Sequence, residues 1–230
     1  MKYCLFLAAS ALLFAQGQVP PDLGGDGVWV PRHVADMANG SEVPLQSWAN
    51  AKFQENSGKQ SETDRRCLPP GVPRIMLQAR PFEIVQTANR ILFMYEGGGH
   101  VWRQIWMDGR DHPKDPNPDW LGHSIGHWEG TTLVVDTVGF NDRTWLDDAG
   151  HPHTEQLHVI ERFRMIEQGK TLEVNVHVED PGAFTTPWNA IQRYRRMEQG
   201  PMTEIACAEN NGDHFHHNLE PMPEADKPDF

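Results

Sequence analysis

Two polar segments of the chain concentrate histidine, arginine and carboxylate side chains, the residue types that carry out acid–base and metal chemistry. The segment "DGRDHP" contains Arg110 and His112, and the segment "HPHTEQLHVIERF" contains His153, His158 and Glu161. An imidazole exchanges a proton near neutral pH, and a guanidinium presents a rigid fork of donors to a carboxylate or carbonyl oxygen. Arg110, His112, His153 and Glu161 are therefore the candidate catalytic residues.

These residue types support two chemical hypotheses. In the first, His112 or His153 acts as a base, Arg110 stabilises a developing oxygen charge, and Glu161 or Glu129 orients a histidine. In the second, His112, His153 and His158 ligate a divalent metal, zinc or copper, both of which accept imidazole readily. The spacing matches no standard metal motif, so both hypotheses require the two loops to meet at one end of the fold. Otherwise the segments are polar loops that lead into ordinary strands.

A Gly-x-Ser-x-Gly pattern and a set of tryptophans give further candidates. The pattern around Ser124 is that of a serine-hydrolase elbow, which requires a strand before the serine and a helix after it. Here a proline-rich loop precedes Ser124 and a strand follows it, so we do not expect a nucleophile. Eight tryptophans suit either a core or a pocket for a flat organic ligand. Trp120, Trp128 and Trp145 are the candidate substrate-binding residues, although Trp128 fits a packed position as well.

The elements that must position these residues are short strands. From Phe82 onward, alternating apolar segments separated by tight turns predict eight or nine strands in an all-β fold. We expect an antiparallel meander that closes into a lipocalin-like barrel or a strongly rolled sheet. The polar face of strands 157–165 and 172–179 forms ion pairs outside the barrel or lines its lumen. Glu161 lies on the apolar face, where a carboxylate needs partners or stays protonated.

Composition divides the rest of the chain. Residues 18–81 are rich in proline, glycine and polar side chains, and predict an extended arm that packs on the core and contains one helix, 47–56. Residues 82–210 form the predicted β-barrel domain, and residues 211–230 form a predicted flexible tail. Residues 1–17 resemble a signal peptide, because Lys2 precedes an apolar run of about 12 residues that is too short to span a bilayer.

The signal peptide predicts a secreted or periplasmic protein. In that oxidising setting, the two remaining cysteines, Cys67 and Cys207, form a disulfide or stay as two buried thiols. The formal net charge of −12 argues against nucleic acid and anionic membranes as partners. The expected partner is a small-molecule substrate or ligand, and the sequence indicates no oligomeric state.

An ordered series of motifs resembles a large family of secreted bacterial proteins without a characterised function. The motifs are "CLPPGVPR", "PFEIVQTANRILFMYE", "MDGRDHP", "GHSIGHWEGTTLVVDTVGFNDRTWLD", "GHPHTEQLHVIERF", "VEDPGAFTTPW" and "CAEN". The resemblance covers roughly residues 22 to 210, and it implies a secreted single domain but no activity. Where that family reads Gly-Asp-Ser, this chain has Gly122-His123-Ser124, so His123 is a weaker candidate than its neighbours.

The leading hypothesis from the sequence is a secreted enzyme with His/Arg/Glu acid–base chemistry, with or without a bound metal. Its substrate would be a small organic or carbohydrate-derived molecule, and its reaction that of a lyase, isomerase or hydrolase. The alternative is a non-catalytic, lipocalin-like binding protein for a small apolar or aromatic ligand.

Overall fold

The computed structural model describes residues 19–25, 27–31, 36–99, 101–197 and 202–203. Nine strands pair in sequence order and close into a barrel, which confirms the predicted all-β barrel. The strands are β1 (Val28–Pro31), β2 (Phe82–Gln86), β3 (Arg90–Tyr95), β4 (Trp102–Trp106), β5 (His123–Glu129), β6 (Thr132–Val138), β7 (His158–Ile166), β8 (Thr171–Glu179) and β9 (Trp188–Met197).

One strand pair departs from the predicted antiparallel meander. β4 and β5 run parallel, whereas the other neighbouring strands are antiparallel. A closed ring with an odd number of strands cannot alternate direction at every step, so at least one neighbouring pair must be parallel. Because β4 and β5 point the same way, the loop 107–122 must run back along the barrel from the end of β4 to the start of β5.

The N-terminal arm supplies a strand that the sequence did not predict. β1 pairs with β9 over four residues and with β2 at Trp29↔Phe82, so it closes the ring. Trp29 is fully buried, and its indole nitrogen donates to the carbonyl oxygen of Leu23 at 2.8 Å. The arm also contains helices α1 (Ser47–Asn56) and α2 (Glu62–Arg65). The predicted helix 47–56 is confirmed, but its N-cap is Gln46 rather than Ser47.

The strand directions give the barrel two different ends. At the turn end, β5 and β6 are joined by Gly130 and Thr131, and β7 and β8 by residues 167–170. At the loop end lie the arm, the loop 139–157 between β6 and β7, and the loop 180–187 between β8 and β9. The longer connections offer more variable surface, which favours the loop end and the loop 107–122 as places for function.

The lumen of the barrel is filled by side chains. Alternate residues of the strands point inward, and most of them are almost completely buried, among them Phe93, Phe163, Tyr194 and the row Leu172, Val174, Val176 and Val178. The polar face of β7 and β8 lies outside, where Arg164 and Arg193 both pair with Glu173 across three strands. Of the two interpretations of that face, external ion pairs are therefore confirmed.

Acid should weaken this external ion-pair ladder. Hydrogen bonds from Arg164, opposed in part by burial, lower the pKa of Glu173 below its usual 4.5, and Arg193 adds to the effect. A lowered folded-state pKa gives stability that is present above pH 4.5 and is lost as the pH falls below it. We expect Glu173→Gln to remove part of the acid-dependent loss seen in urea unfolding between pH 7 and about pH 3. Glu155→Gln, at an exposed loop position, is the matched control and should leave it unchanged.

Some sequence predictions fall outside the described residues. The signal peptide 1–17, the tail 211–230 and Cys207 are among them, so export and the Cys67–Cys207 pairing stay predictions. Cys67 itself is disulfide-bonded. Within the described ranges, no helix has the length and apolar character needed to cross a membrane.

Candidate functional site

A charged pair lies inside the barrel, at the carboxylate that the sequence places on an apolar face. Glu161 of β7 accepts a short hydrogen bond from Nη2 of Arg103, which reaches across the lumen from β4. The same guanidinium donates to Ser124 Oγ at 3.1 Å and to Thr137 Oγ1 at 2.8 Å. Both charged side chains are about 1% exposed. The expectation that Glu161 finds a partner is confirmed, but that partner is an arginine and not the histidine we had assigned to it.

The burial of this pair determines its protonation. Burial, the largest single influence, would lower the pKa of Arg103. The charge of Glu161, added to the influence of Tyr95 and to hydrogen bonds with both residues, raises the pKa overall, so the guanidinium stays charged. Burial also raises the pKa of the Tyr95 hydroxyl, which stays neutral and donates to Met76 Sδ at 3.1 Å. Arg103 Nη1 has no hydrogen-bond partner within the described residues. The interior therefore holds a neutralised ion pair with one unsatisfied donor nitrogen.

A cleft opens at the seam between β4 and β5. These strands share only two paired positions, Ile105↔Ser124 and Trp106↔Ile125. The sheet separates beside residues 102–104, which precede these pairs in β4 and line the cleft. Past the second pair, Gly126 of β5 permits the close approach of Ile105 and Met107, since a Cβ at this position would lie 2.8 Å from a side-chain atom of each. The resulting cleft has a volume of about 480 Å³ and is lined by Pro69, Val101, Trp102, Arg103, Gln104, Trp106, Asp119, Trp120, Leu121, Gly122, His123 and Ser124.

The lining of the cleft combines aromatic walls with buried polar groups. Trp102, Trp106 and Trp120 contribute the walls, and Trp102 is 58% exposed. Arg103 and Ser124 are the deeply buried members of the lining. The cleft thus leads from an exposed aromatic surface toward the polar pair in the lumen. Flat aromatic walls with a few polar groups are typical of small-molecule sites.

The three predicted substrate-binding tryptophans do not share one site. Trp120 lines the cleft, as a ligand-binding residue would. Trp128 packs against the core. Trp145 lies at the loop end, where it forms an isolated bridge with Pro152 and lies under the Arg74 guanidinium, 5.8 Å from its ring centre. Only Trp120 is therefore placed to contact a ligand in the cleft.

Arg110, predicted to bind a substrate oxygen, is already paired with a carboxylate of its own loop. Its Nε and Nη2 atoms donate to both carboxylate oxygens of Asp108, two residues earlier in the same turn. Its guanidinium also stacks on Trp106, with 3.6 Å to the ring centre. Arg110 therefore packs one tryptophan of the cleft from outside, and its donor nitrogens facing Asp108 are not free for a substrate.

A chain of imidazoles and carboxylates crosses the outer wall of the barrel. His112 Nε2 and His158 Nε2 lie 3.0 Å and 2.9 Å from the same oxygen, Oδ1 of Asp136 on β6. His112 Nδ1 lies 2.9 Å from Nδ1 of His123. On the other side, Glu179 approaches His158 Nδ1 at 3.4 Å and His177 Nε2 at 2.9 Å. Through His112, this row of side chains fastens the loop 107–122 to the barrel wall.

The predicted histidine set is only partly assembled. His112 and His158 converge on Asp136, but His153 does not join them. It is buried in the loop 139–157, with Nε2 2.7 Å from Thr144 Oγ1 and Nδ1 3.1 Å from the carbonyl oxygen of Thr154. Burial lowers its pKa, which keeps the ring neutral. His112 lies on the outer wall against Asp136, and within the described residues it shares no hydrogen-bond partner with His153, so their meeting at a common mouth stays a prediction.

The four candidate catalytic residues likewise have separate partners. In the described part of the chain, no hydrogen bond or ion pair joins any two of Arg110, His112, His153 and Glu161. Ser124 lies within β5, where its hydroxyl accepts a hydrogen bond from Arg103 and shares one with the Thr137 hydroxyl. The structure therefore does not assemble the predicted acid–base centre.

A second group of ligating side chains lies at the loop end. Oxygens of Asp36 and Asp147 and a nitrogen of His151 lie within 4.8 Å of one another. Asp147 is fully buried, and its two oxygens already accept hydrogen bonds from Met37, Gly150 and His151. The His151 ring stacks on Phe53 of α1, with 4.3 Å between centroids. These contacts make the group a structural clasp between the arm and the loop 139–157.

Sequence reasoning missed Arg103 and Asp136. Both lie inside strands, at positions that look like ordinary members of an alternating pattern, whereas attention went to the loops. A usable signal existed for Arg103, because it shares the inward face of β4 with Ile105, and a charge on an apolar face requires a partner of opposite charge. For Asp136, between Val134 and Val138 on the outward face of β6, only the fold shows which histidines are near.

Comparisons with known proteins identify no family for this chain. No family model matches the chain, and no curated protein matches it. Among solved structures, a crystal structure of a single-residue mutant of the fluorescent protein UnaG aligns with 12% identity and a TM-score of 0.32, over 52% of this chain and 73% of that one. At this distance the likeness carries no information about function.

Proposed function

We propose that this protein binds a small, flat apolar or aromatic ligand in the cleft between β4 and β5. The observation that supports this most is the lining: three tryptophans, Trp102, Trp106 and Trp120, surround a space of about 480 Å³ where the sheet separates. That volume falls within the range of about 300–1,000 Å³ occupied by drug-sized ligands. Aromatic rings favour stacked partners, so a planar ring system suits these walls.

The proposed ligand lies in a cleft of the barrel wall, whereas the ligand of a lipocalin-like cup lies inside the barrel. Residues that would line such a cup, including Phe93, Phe163 and Tyr194, pack against one another and are almost fully buried. Displacing them would open the close-packed core, which is unfavourable. The ligand therefore lies at the wall, with its inner edge toward Arg103 and Ser124.

The proposal favours binding over catalysis. The acid–base centre inferred from the sequence is dispersed, whereas the cleft is continuous and aromatic. The sequence also predicts export, so we place the ligand outside the cytoplasm, in the periplasm or the medium. Net charge of −12 makes an uncharged or weakly charged ligand a better partner than a polyanion.

The fluorescence of 8-anilinonaphthalene-1-sulfonate tests this proposal. We expect saturable binding with one site per chain, and Trp120→Ala should weaken it by about tenfold because one aromatic wall is lost. Trp48→Ala is the matched control, since Trp48 is also partly exposed but lies on α1, where its indole donates to Gly182. It should leave the affinity within about twofold.

Comparison with Trp48→Ala shows whether a change in probe affinity arises in the cleft. Equal affinity of the wild type and Trp120→Ala, or a loss only in Trp48→Ala, would place the probe elsewhere and refute the cleft as the binding site. Urea unfolding of both variants separates lost binding from lost folding.

A further inference from the structure

We propose that His112, Asp136 and His158 on the outer wall bind a divalent transition metal, with zinc as the preferred ion. The three side chains come from the loop 107–122, from β6 and from β7. Two imidazoles and one carboxylate are a ligand set that zinc accepts in sites with an open fourth position. This site is separate from the cleft, and it replaces the buried His153 of the predicted metal set with Asp136.

The distances within the group suit metal ligation. Nε2 of His112 and Nε2 of His158 lie 3.0 Å and 2.9 Å from Asp136 Oδ1. Ligand atoms about 2.0–2.2 Å from a tetrahedral zinc are separated by about 3.3 Å, so each imidazole–carboxylate pair needs to widen only slightly. A zinc ion would take the place of the protons that these pairs now share.

The outer partners of the two imidazoles supply an independent argument. Metal-ligating histidines usually donate their second ring N–H to a carboxylate or another acceptor, which fixes the ring and its tautomer. His158 faces Glu179 through Nδ1 at 3.4 Å, and His112 faces His123 through Nδ1 at 2.9 Å. Glu179 is held in turn by His177. Both rings are thus oriented with Nε2 toward the same point.

Closing the site requires one movement. Within the described residues, only the group of Asp36, Asp147 and His151 has all three ligand atoms within 4.8 Å, so the His112 and His158 nitrogens lie farther apart than zinc demands. Since His158 and Asp136 lie on paired strands, the proposal requires His112, on the loop 107–122, to move toward His158 when the ion binds. Arg110, two residues before His112, is paired with Asp108, which offsets its charge.

The surroundings permit entry and exchange of an ion. The side chains of His112, Asp136 and His158 are 19%, 36% and 30% exposed. A zinc ion held there would keep a water as its fourth ligand and lower the pKa of that water toward neutrality. The wall would then hold a hydroxide-forming centre beside the loop that borders the cleft.

Zinc titration by calorimetry tests the site. The protein should carry Gln in place of His214, His216 and His217, because a histidine-rich terminal segment binds zinc by itself. We expect one zinc per chain, and a loss of at least about a hundredfold in affinity in His158→Gln. The matched control is His127→Gln, an exposed histidine on the outer face of β5 that pairs with Glu129, and it should bind zinc like the parent.

Visible absorption of bound cobalt(II) provides a second measurement of the same site. Cobalt(II) in the parent protein should give the intense visible absorption of a four-coordinate ion, and His158→Gln should abolish it. Absence of one-to-one zinc binding, or binding that survives in His158→Gln, would overturn the proposal. Urea unfolding of metal-free His158→Gln establishes that the variant is folded, so that a lost signal reports a lost ligand.

Discussion

Replacing Glu161 with alanine is expected to destabilise the barrel by about 3–5 kcal/mol, the effect of leaving a buried charge without its partner. Arg103 would then keep its charge in the lumen, and its remaining acceptors among the described residues would be the Ser124 and Thr137 hydroxyls. Urea unfolding followed by tryptophan fluorescence measures the change, because the free energy falls linearly with denaturant.

The double variant Arg103→Met with Glu161→Leu separates charge from packing. Apolar residues of similar volume often replace a buried ion pair with little loss, so we expect it to recover most of the stability lost in Glu161→Ala. Ser124 and Thr137 would remain satisfied, since their hydroxyls lie 3.1 Å apart. A double variant as unstable as the single one would show that the ion pair itself is essential to the fold.

Asp147→Ala should produce the second large effect, a loss of about 3 kcal/mol, because several buried donors lose their acceptor at once. The carboxylate accepts from the backbone of Met37 at 3.0 Å and of Gly150 at 3.1 Å, and from His151 Nδ1 at 2.8 Å. These bonds join the arm to the loop 139–157, so the variant should also release the arm, which limited proteolysis detects.

Asp142→Ala is the control for this prediction. Asp142 is exposed in the same loop, and its loss should change the free energy of unfolding by no more than about 0.5 kcal/mol. If Asp147→Ala behaved like Asp142→Ala, the clasp would contribute little and the arm would be held by other contacts.

Local pattern was enough to predict most of the strands. Alternation and turn residues predict β7, β8 and the turn between them, because every inward residue except Glu161 is apolar and the hairpin is local in sequence. The helix 47–56 has the bounds predicted from the sequence. Alternation also shows that Glu161 is a charged residue on an otherwise apolar face, and in the structure it forms the interior ion pair with Arg103.

What the sequence could not supply was non-local. β1 is four residues long, too short to carry a periodic signal, and it becomes a strand only because β2 and β9 are there to pair with it. The parallel step at β4–β5 follows from the strand count of the closed ring, not from any residue in it. That single step sends the loop 107–122 back along the barrel, where His112 lies against the same carboxylate oxygen as His158.

The location of a bound ligand is the most direct test of the proposed binding function. Hydrogen exchange with and without 8-anilinonaphthalene-1-sulfonate should show slower exchange, by about tenfold or more, confined to residues 102–106 and 119–124 at the two edges of the seam. Protection centred on α1 and the loop 180–187, with no change at the seam, would contradict the assignment of the cleft.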